Sequence, residues 1–112
     1  MITLSIADYE IHVGNQTPDD LTIECFFDDT FLGKQTFKSL EIYKFNVTIV
    51  DGNPNIVWCP MWLGKRPGLF KIFDYNRDQP NCADNVCHWY VKQDGICLFS
   101  AYQCAVHYNW AW

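Results

Sequence analysis

Ile42-Tyr43-Lys44-Phe45-Asn46-Val47-Thr48-Ile49-Val50 alternates without a break, with Tyr43, Phe45, Val47 and Ile49 on one side and Lys44, Asn46 and Thr48 on the other. Successive side chains of a strand point to opposite faces, whereas a 3.6-residue helical repeat would scatter this apolar set around its axis. One face of the stretch must be buried, so the chain needs a sheet with a core behind it. Shorter stretches repeat the pattern. Ile11 and Val13 share a face within residues 9–13, and Leu21, Ile23, Cys25 and Phe27 share one opposite Thr22 and Glu24.

Turn residues divide the chain beyond residue 50. Asp51-Gly52-Asn53-Pro54 ends the central stretch, a further strand is expected over residues 55–62, and Gly64-Lys65-Arg66-Pro67-Gly68 leads into another over 69–75. These three strands read as a meander. Residues 76–85 (NRDQPNCADN) are polar, contain Pro80 and lack periodicity, which predicts the longest loop. Residues 86–92 and 96–99 flank Gln93-Asp94-Gly95 as a hairpin, and 102–108 supply a last strand. The expectation is an all-β chain, a small disulfide-stabilised antiparallel β-sandwich of about eight short strands. A short helical piece is expected near the termini, and residues 30–40 are the stretch least determined by pattern. The length supports a single domain over residues 1–112, with 1–7 a flexible N-terminus.

Six cysteines, Cys25, Cys59, Cys82, Cys87, Cys97 and Cys104, are dispersed through 112 residues with no CxxC pair. An even, dispersed set in a small aromatic-rich domain reads as a disulfide framework, which persists in oxidising compartments, so a secreted protein is expected. The competing zinc reading rests on Cys82-x4-Cys87 beside His88 and on Cys104-x2-His107. Adjacent Cys87 and His88 would point to opposite faces of a strand and could not share one ion. No metal and no cofactor are expected.

The formal net charge is −5, and the basic residues are scattered from Lys34 to Lys92, with Lys65-Arg66 as the sole adjacent pair. Nucleic-acid binding needs a concentrated basic face and is excluded as a function. Residues 1–7 are too short for a signal-peptide core, and no apolar run approaches the ~18–20 residues that span a bilayer. Membrane insertion is not expected; secretion implies a signal peptide already removed. A monomer is expected.

Catalytic patterns are weak. His12, His88 and His107 are far apart on separate expected strands, without GxSxG or HExxH, so the chain reads as a non-enzyme. Asp74-x-Asn76-x-Asp78 begins like a calcium loop, but Gln79 replaces its glycine and Asn85 its closing glutamate. Two sequons, Asn15-Gln16-Thr17 and Asn46-Val47-Thr48, are glycosylation candidates; Pro18 makes Asn15 the poorer one, and the alternation turns Asn46 away from the core.

Recognition is expected on loops, because strands of a sandwich commit half their side chains to the core. The 76–85 loop offers Arg77, Asp78, Gln79, Asn81 and Asp84, pinned by a disulfide at Cys82, and Lys65 and Arg66 form a second charged tip. On this reading, charge reversal at Asp78 or Asp84 weakens receptor binding without lowering thermal stability. A carbohydrate-binding module is the rival reading, with Trp110 and Trp112 as a stacking platform on an extended tail. A disulfide-stabilised toxin or inhibitor shares the same composition.

The order of anchors is specific. Ile11-His12-Val13 and Asn15 come first, then Cys25 with Asp28-Asp29 and Leu32-Gly33, Phe45, Trp58-Cys59, Phe70 and Phe73, Cys82, and Cys87-His88-Trp89-Tyr90-Val91 ending at Asp94-Gly95-Ile96. This order, over residues 11–96, resembles the plant self-incompatibility S1 family, the S-protein homologues. The resemblance implies a secreted, disulfide-bonded β-sandwich. The best-understood members, stigma proteins of the poppy type, are ligands of a pollen membrane receptor that stops incompatible pollen. Members typically carry four cysteines, matching Cys25, Cys59, Cys82 and Cys87; among these, pairing 25–87 and 59–82 is the expectation. Cys97 and Cys104 are additional here, and a two-residue turn at Ser100-Ala101 would set them opposite each other, close enough to bridge. The acidic pair Asp28-Asp29 lacks the longer polar run common at that place in the family, so no role is carried over to it.

Overall fold

The computed structural model describes residues 5–111. Among them nine strands form two sheets: β1 (Ser5–Asn15), β2 (Leu21–Phe27), β3 (Thr30–Phe37), β4 (Ile42–Val50), β5 (Ile56–Leu63), β6 (Arg66–Asp74), β7 (Val86–Val91), β8 (Gly95–Ser100) and β9 (Gln103–Asn109). One sheet has the order β4-β1-β7-β8-β9 and the other β3-β2-β5-β6. All pairings are antiparallel except β1 with β7, which run parallel.

The central alternating stretch is β4, with the bounds its pattern gives, and its inward Val47 and Ile49 are buried while Lys44, Asn46 and Thr48 are exposed. Residues 30–40 contribute a strand, β3, which pairs with β2 through a two-residue turn at Asp28-Asp29. Three expectations need correction. The three-strand meander does not form: β4 pairs with β1 (Tyr9↔Val47, Ile11↔Phe45) in one sheet, whereas β5 pairs with β2 and β6 in the other. The cause is the crossover at residues 51–55. Asn55, at φ 56°, accepts the Val50 N–H (3.0 Å) and donates to the Val50 carbonyl (3.0 Å), while the Asp28 carboxylate accepts the Asn55 and Ile56 N–H groups (3.3 and 3.0 Å). The chain is thereby delivered to the second sheet. Helical turns lie in the 76–85 loop rather than near the termini: α1 (Tyr75–Asp78), then 3-10 turns at Gln79–Asn81 and Ala83–Asn85. Ser5, Ile6 and Ala7, expected within a flexible N-terminus over residues 1–7, lie in β1.

The inward faces meet in one core. Ile11, Val13, Ile49, Trp89, Val91 and Leu98 from the first sheet pack with Leu21, Ile23, Val57, Met61, Leu63, Ile72 and Phe73 from the second, all at most 1% exposed. Removing that apolar area from water is the main force holding the layers together.

Three disulfides are present, in a pairing that corrects the expected one: Cys25–Cys59 and Cys82–Cys87 instead of 25–87 and 59–82. Cys25 and Cys59 both point into the core from the neighbouring strands β2 and β5, with Cα atoms 4.2 Å apart, whereas Cys87 lies on β7 in the opposite sheet. The 3-10 turns fold Cys82 back to Cys87 (Cα–Cα 4.7 Å). Cys97–Cys104 forms as expected, through different geometry. The turn is Ala101-Tyr102, both at positive φ, and a bulge between Leu98 and Phe99 puts Cys97 opposite His107 and Cys104 opposite Phe99. The bridge is therefore diagonal.

Candidate functional site

One end of the sandwich gathers the β2–β3, β4–β5, β6–β7 and β8–β9 connections. The expected recognition loop, residues 76–85, is among them. Asp74 caps α1, its carboxylate accepting the Asn76 and Arg77 N–H groups (3.1 and 3.4 Å). Burial alone would raise the Asp74 pKa, but its hydrogen bond from Lys71 and those two N–H groups hold it below 3.8.

Arg77 and Asp78 turn inward. Asp78 is fully buried and accepts a bidentate pair from the Arg77 guanidinium (2.6 and 2.8 Å) and the Asp74 N–H (3.0 Å). Arg77 also donates to the Tyr108 hydroxyl (2.7 Å) and the Lys71 carbonyl (3.1 Å), and its guanidinium lies 5.7 Å from the Trp89 ring centre. Burial would lower the Arg77 pKa; the Asp78 carboxylate more than offsets this and raises it. This pair is the bracket of the loop, and Asp78 is not available to a partner. Asn81 is half-buried and donates to the Arg77 carbonyl (3.1 Å). Gln79 and Asp84 are exposed, Asp84 at φ 55°. Of five candidate residues, these two are presented outward.

Lys65 and Arg66 are exposed but sit at the other end of β6, so at the usual strand rise they lie about 26 Å from α1. The two charged tips do not form one site. Arg66 lies 3.7 Å from Asp19 in the connection between β1 and β2.

Asn15 is fully buried, its amide donating to the Asp19 and Phe37 carbonyls (2.8 and 3.3 Å) while its oxygen accepts from Thr17. A glycan on that nitrogen would displace these bonds, so the Asn15 sequon is a structural staple of the β1–β2 connection. Asn46 is exposed on the edge strand β4. Trp110 is 6% exposed, packs edge-on against Phe70 (4.9 Å) and donates its indole N–H to the Lys92 carbonyl (2.9 Å). It closes the core and is no platform; Trp112 lies outside the described residues.

A groove of about 440 Å³ crosses the outer face of the first sheet. Tyr90, Phe99, His107 and the Cys97–Cys104 bridge line it, with Gln16, Lys92 and Asp94 at one end. A Cβ at Gly95 would come within 2.4 Å of the Tyr108 carbonyl, so only glycine lets β9 approach β8 there. None of the expected receptor-binding residues lines this groove, although the Cys97–Cys104 pair does. Its signal was in the sequence: Tyr90 alternates with the buried Trp89 and Val91, so it had to face outward. No cluster of three or more metal-ligating His, Cys, Asp or Glu side chains occurs among the described residues. His12 and His88 face each other on the same outer face, ring centres 4.9 Å apart.

The family model for plant self-incompatibility protein S1 matches residues 10–112. No curated protein and no solved structure matches the chain significantly. The match covers nearly the whole chain, from the second half of β1 through β9, and includes all three disulfides. S1 proteins form a family of signalling and recognition, and three disulfides fit an extracellular protein. The chain belongs to the plant self-incompatibility protein S1 family.

Proposed function

We propose that this chain is a secreted ligand of the pistil self-incompatibility type, bound by a cell-surface receptor on pollen to block incompatible pollen. Family membership supports the class of activity. The observation that carries the site is the end of the sandwich formed by four strand connections, where Asp29, Asp51, Gln79 and Asp84 are exposed on turns fixed from beneath. Asp28, Asn55, the Arg77–Asp78 pair and the Cys82–Cys87 bridge hold those turns in place. Loops already ordered lose little entropy on binding, and an acidic rim steers a basic partner.

The test is application of refolded protein to growing pollen tubes of several mating types, beside a reduced and alkylated control. Arrest of some genotypes only, abolished by reduction and by Asp84→Lys at unchanged thermal stability, is the expected result. No arrest of any genotype removes the pollen reading; full activity of the Asp84→Lys protein removes the acidic end as the receptor site.

A further inference from the structure

On the second sheet, alternation along β5 turns Val57, Cys59, Met61 and Leu63 inward and leaves Trp58, Pro60 and Trp62 on the outer face. Trp58 is 45% exposed, and Trp62 is half-buried. Each tryptophan stands in a concavity of its own. Trp62 borders a groove of about 510 Å³ with Thr22, Glu24, Lys34, Thr36 and Lys65. Trp58 borders one of about 350 Å³ with Asp29, Asn53 and Pro54. Trp58 and Trp62 are four positions apart, about 13 Å along the strand at the usual rise, and Pro60 with the cross-strand Leu69, 61% exposed, forms an apolar bridge between them.

We propose that this face binds an extended, uncharged β-linked glycan lying along β5 across both tryptophans. Pyranose rings present flat C–H faces that stack on indole and an equatorial rim of hydroxyls that needs donors and acceptors, and each groove pairs one indole with a polar rim of that kind. The Thr22 and Thr36 hydroxyls lie 2.9 Å apart as a ready donor–acceptor couple. Apart from Asp28 and Asp29 at one end, the charges on the face are largely balanced within the protein: Lys34 lies 3.8 Å from Glu24, and Lys71, beside Trp58, lies 3.0 Å from Asp74. A balanced face favours a neutral polyol over an anionic polymer, with Lys65 a further donor at the outer end. The separation of the two grooves requires a ligand longer than a disaccharide.

Glycan binding here does not rest on the receptor reading: the Trp58 groove borders the four-connection end through Asp29, Asn53 and Pro54, but the Trp62 groove lies away from it, and the tryptophan variants leave Gln79 and Asp84 untouched. The experiment is calorimetric titration of the intact, oxidised protein with cellohexaose, cellobiose and an oligogalacturonide. Cellohexaose binds, cellobiose binds at least tenfold more weakly, and Trp58→Ala and Trp62→Ala each weaken cellohexaose binding about tenfold, with Trp58→Phe and Trp62→Phe retaining most of it. Near-ultraviolet circular dichroism and urea unfolding identify any variant that has lost its fold, in which case the phenylalanine variants and the chain-length ratio decide. Equal affinity for the two cello-oligosaccharides, preference for the oligogalacturonide, unaltered binding by the alanine variants, or concentration-dependent self-association through Trp58 without glycan binding would each overturn the proposal.

Discussion

His88 lies opposite His12 in the parallel pairing of β1 with β7, and Phe99 of β8 stands on its other side. Its pKa is pushed below the ordinary 6.5, first by burial, then by repulsion from His12 and Lys44, with Glu10 pulling the other way. The consequence for stability has a definite sign. The unfolded chain takes up its proton near 6.5 and the folded chain resists until a lower pH, so stability is complete above about 6.5 and is lost as pH falls from there through the folded pKa. A nuclear magnetic resonance titration is expected to place the His88 midpoint below 6.5, and His12→Asn to move it part of the way back; a midpoint at or above 6.5 would contradict the arrangement. Urea unfolding of His88→Asn is expected to show a flatter loss of stability between pH 7 and 5 than the parent protein. Expecting three separate strand histidines was right for His107 and wrong for this pair, because parallel neighbours β1 and β7 are 76 positions apart at His12 and His88 and local pattern carries no information on which strands adjoin.

At the scale of elements, β4 shows what alternation determines and where it stops. Its bounds and buried face follow from nine residues of sequence, but its partner does not. The β5–β6 connection is a two-residue hairpin at Gly64-Lys65 with Gly64 at φ 61°, and Pro67 is tolerated because β6 is an edge strand. The β4–β5 connection contains the same kinds of residue yet crosses between sheets, and the difference resides in Asp28, more than twenty residues upstream, whose carboxylate receives the incoming backbone. The 76–85 loop makes the same point for the site. A polar, Pro-containing segment reads as solvated, but Arg77 and Asp78 are drawn inward by each other, by the Asp74 N–H and by Tyr108 from β9. The two exposed candidates, Gln79 and Asp84, were legible as polar loop residues; the bracket beneath them depends on contacts that form only when the sheets pack. Asp78→Asn is accordingly expected to lower stability by about 3 kcal/mol, because it leaves the Arg77 charge partly buried without its partner, while Asp84→Lys leaves the unfolding midpoint near that of the parent. Urea denaturation of the two variants side by side checks this, and equal midpoints would show that the pair does not bracket the loop.

Across the whole molecule, the disulfides do unequal work. Cys25–Cys59 closes a 34-residue separation and ties β2 to β5 inside the core, whereas Cys82–Cys87, at the edge of the same core, and Cys97–Cys104, on the outer face of the other sheet, close separations of only 5 and 7 residues. Loop-closure entropy in the unfolded chain assigns about 4 kcal/mol to the first and about 2 kcal/mol to each of the others. The first also fills core volume, with both half-cystines at most 1% exposed, so replacing it with alanines adds a cavity to the entropic loss. A chain of this size, built from two sheets and buried through one shared core, stands on a margin of only about 5–15 kcal/mol. Removing Cys25–Cys59 as a paired alanine variant is therefore expected to cost at least about 2 kcal/mol more in urea than removing Cys97–Cys104, and to unfold both sheets together, since β2 and β5 line the core that both inward faces share. The Cys97–Cys104 bridge, by contrast, lies along the outer groove with Tyr90 and Phe99, so its loss is expected to leave the core cooperative and to loosen only the β8–β9 hairpin. Amide exchange in the two variants separates these cases: selective exchange of residues 95–109 belongs to the outer bridge, and exchange spread through β2, β5 and β1 belongs to the inner one. Equal stability losses, or local exchange after removal of Cys25–Cys59, would place the structural load elsewhere.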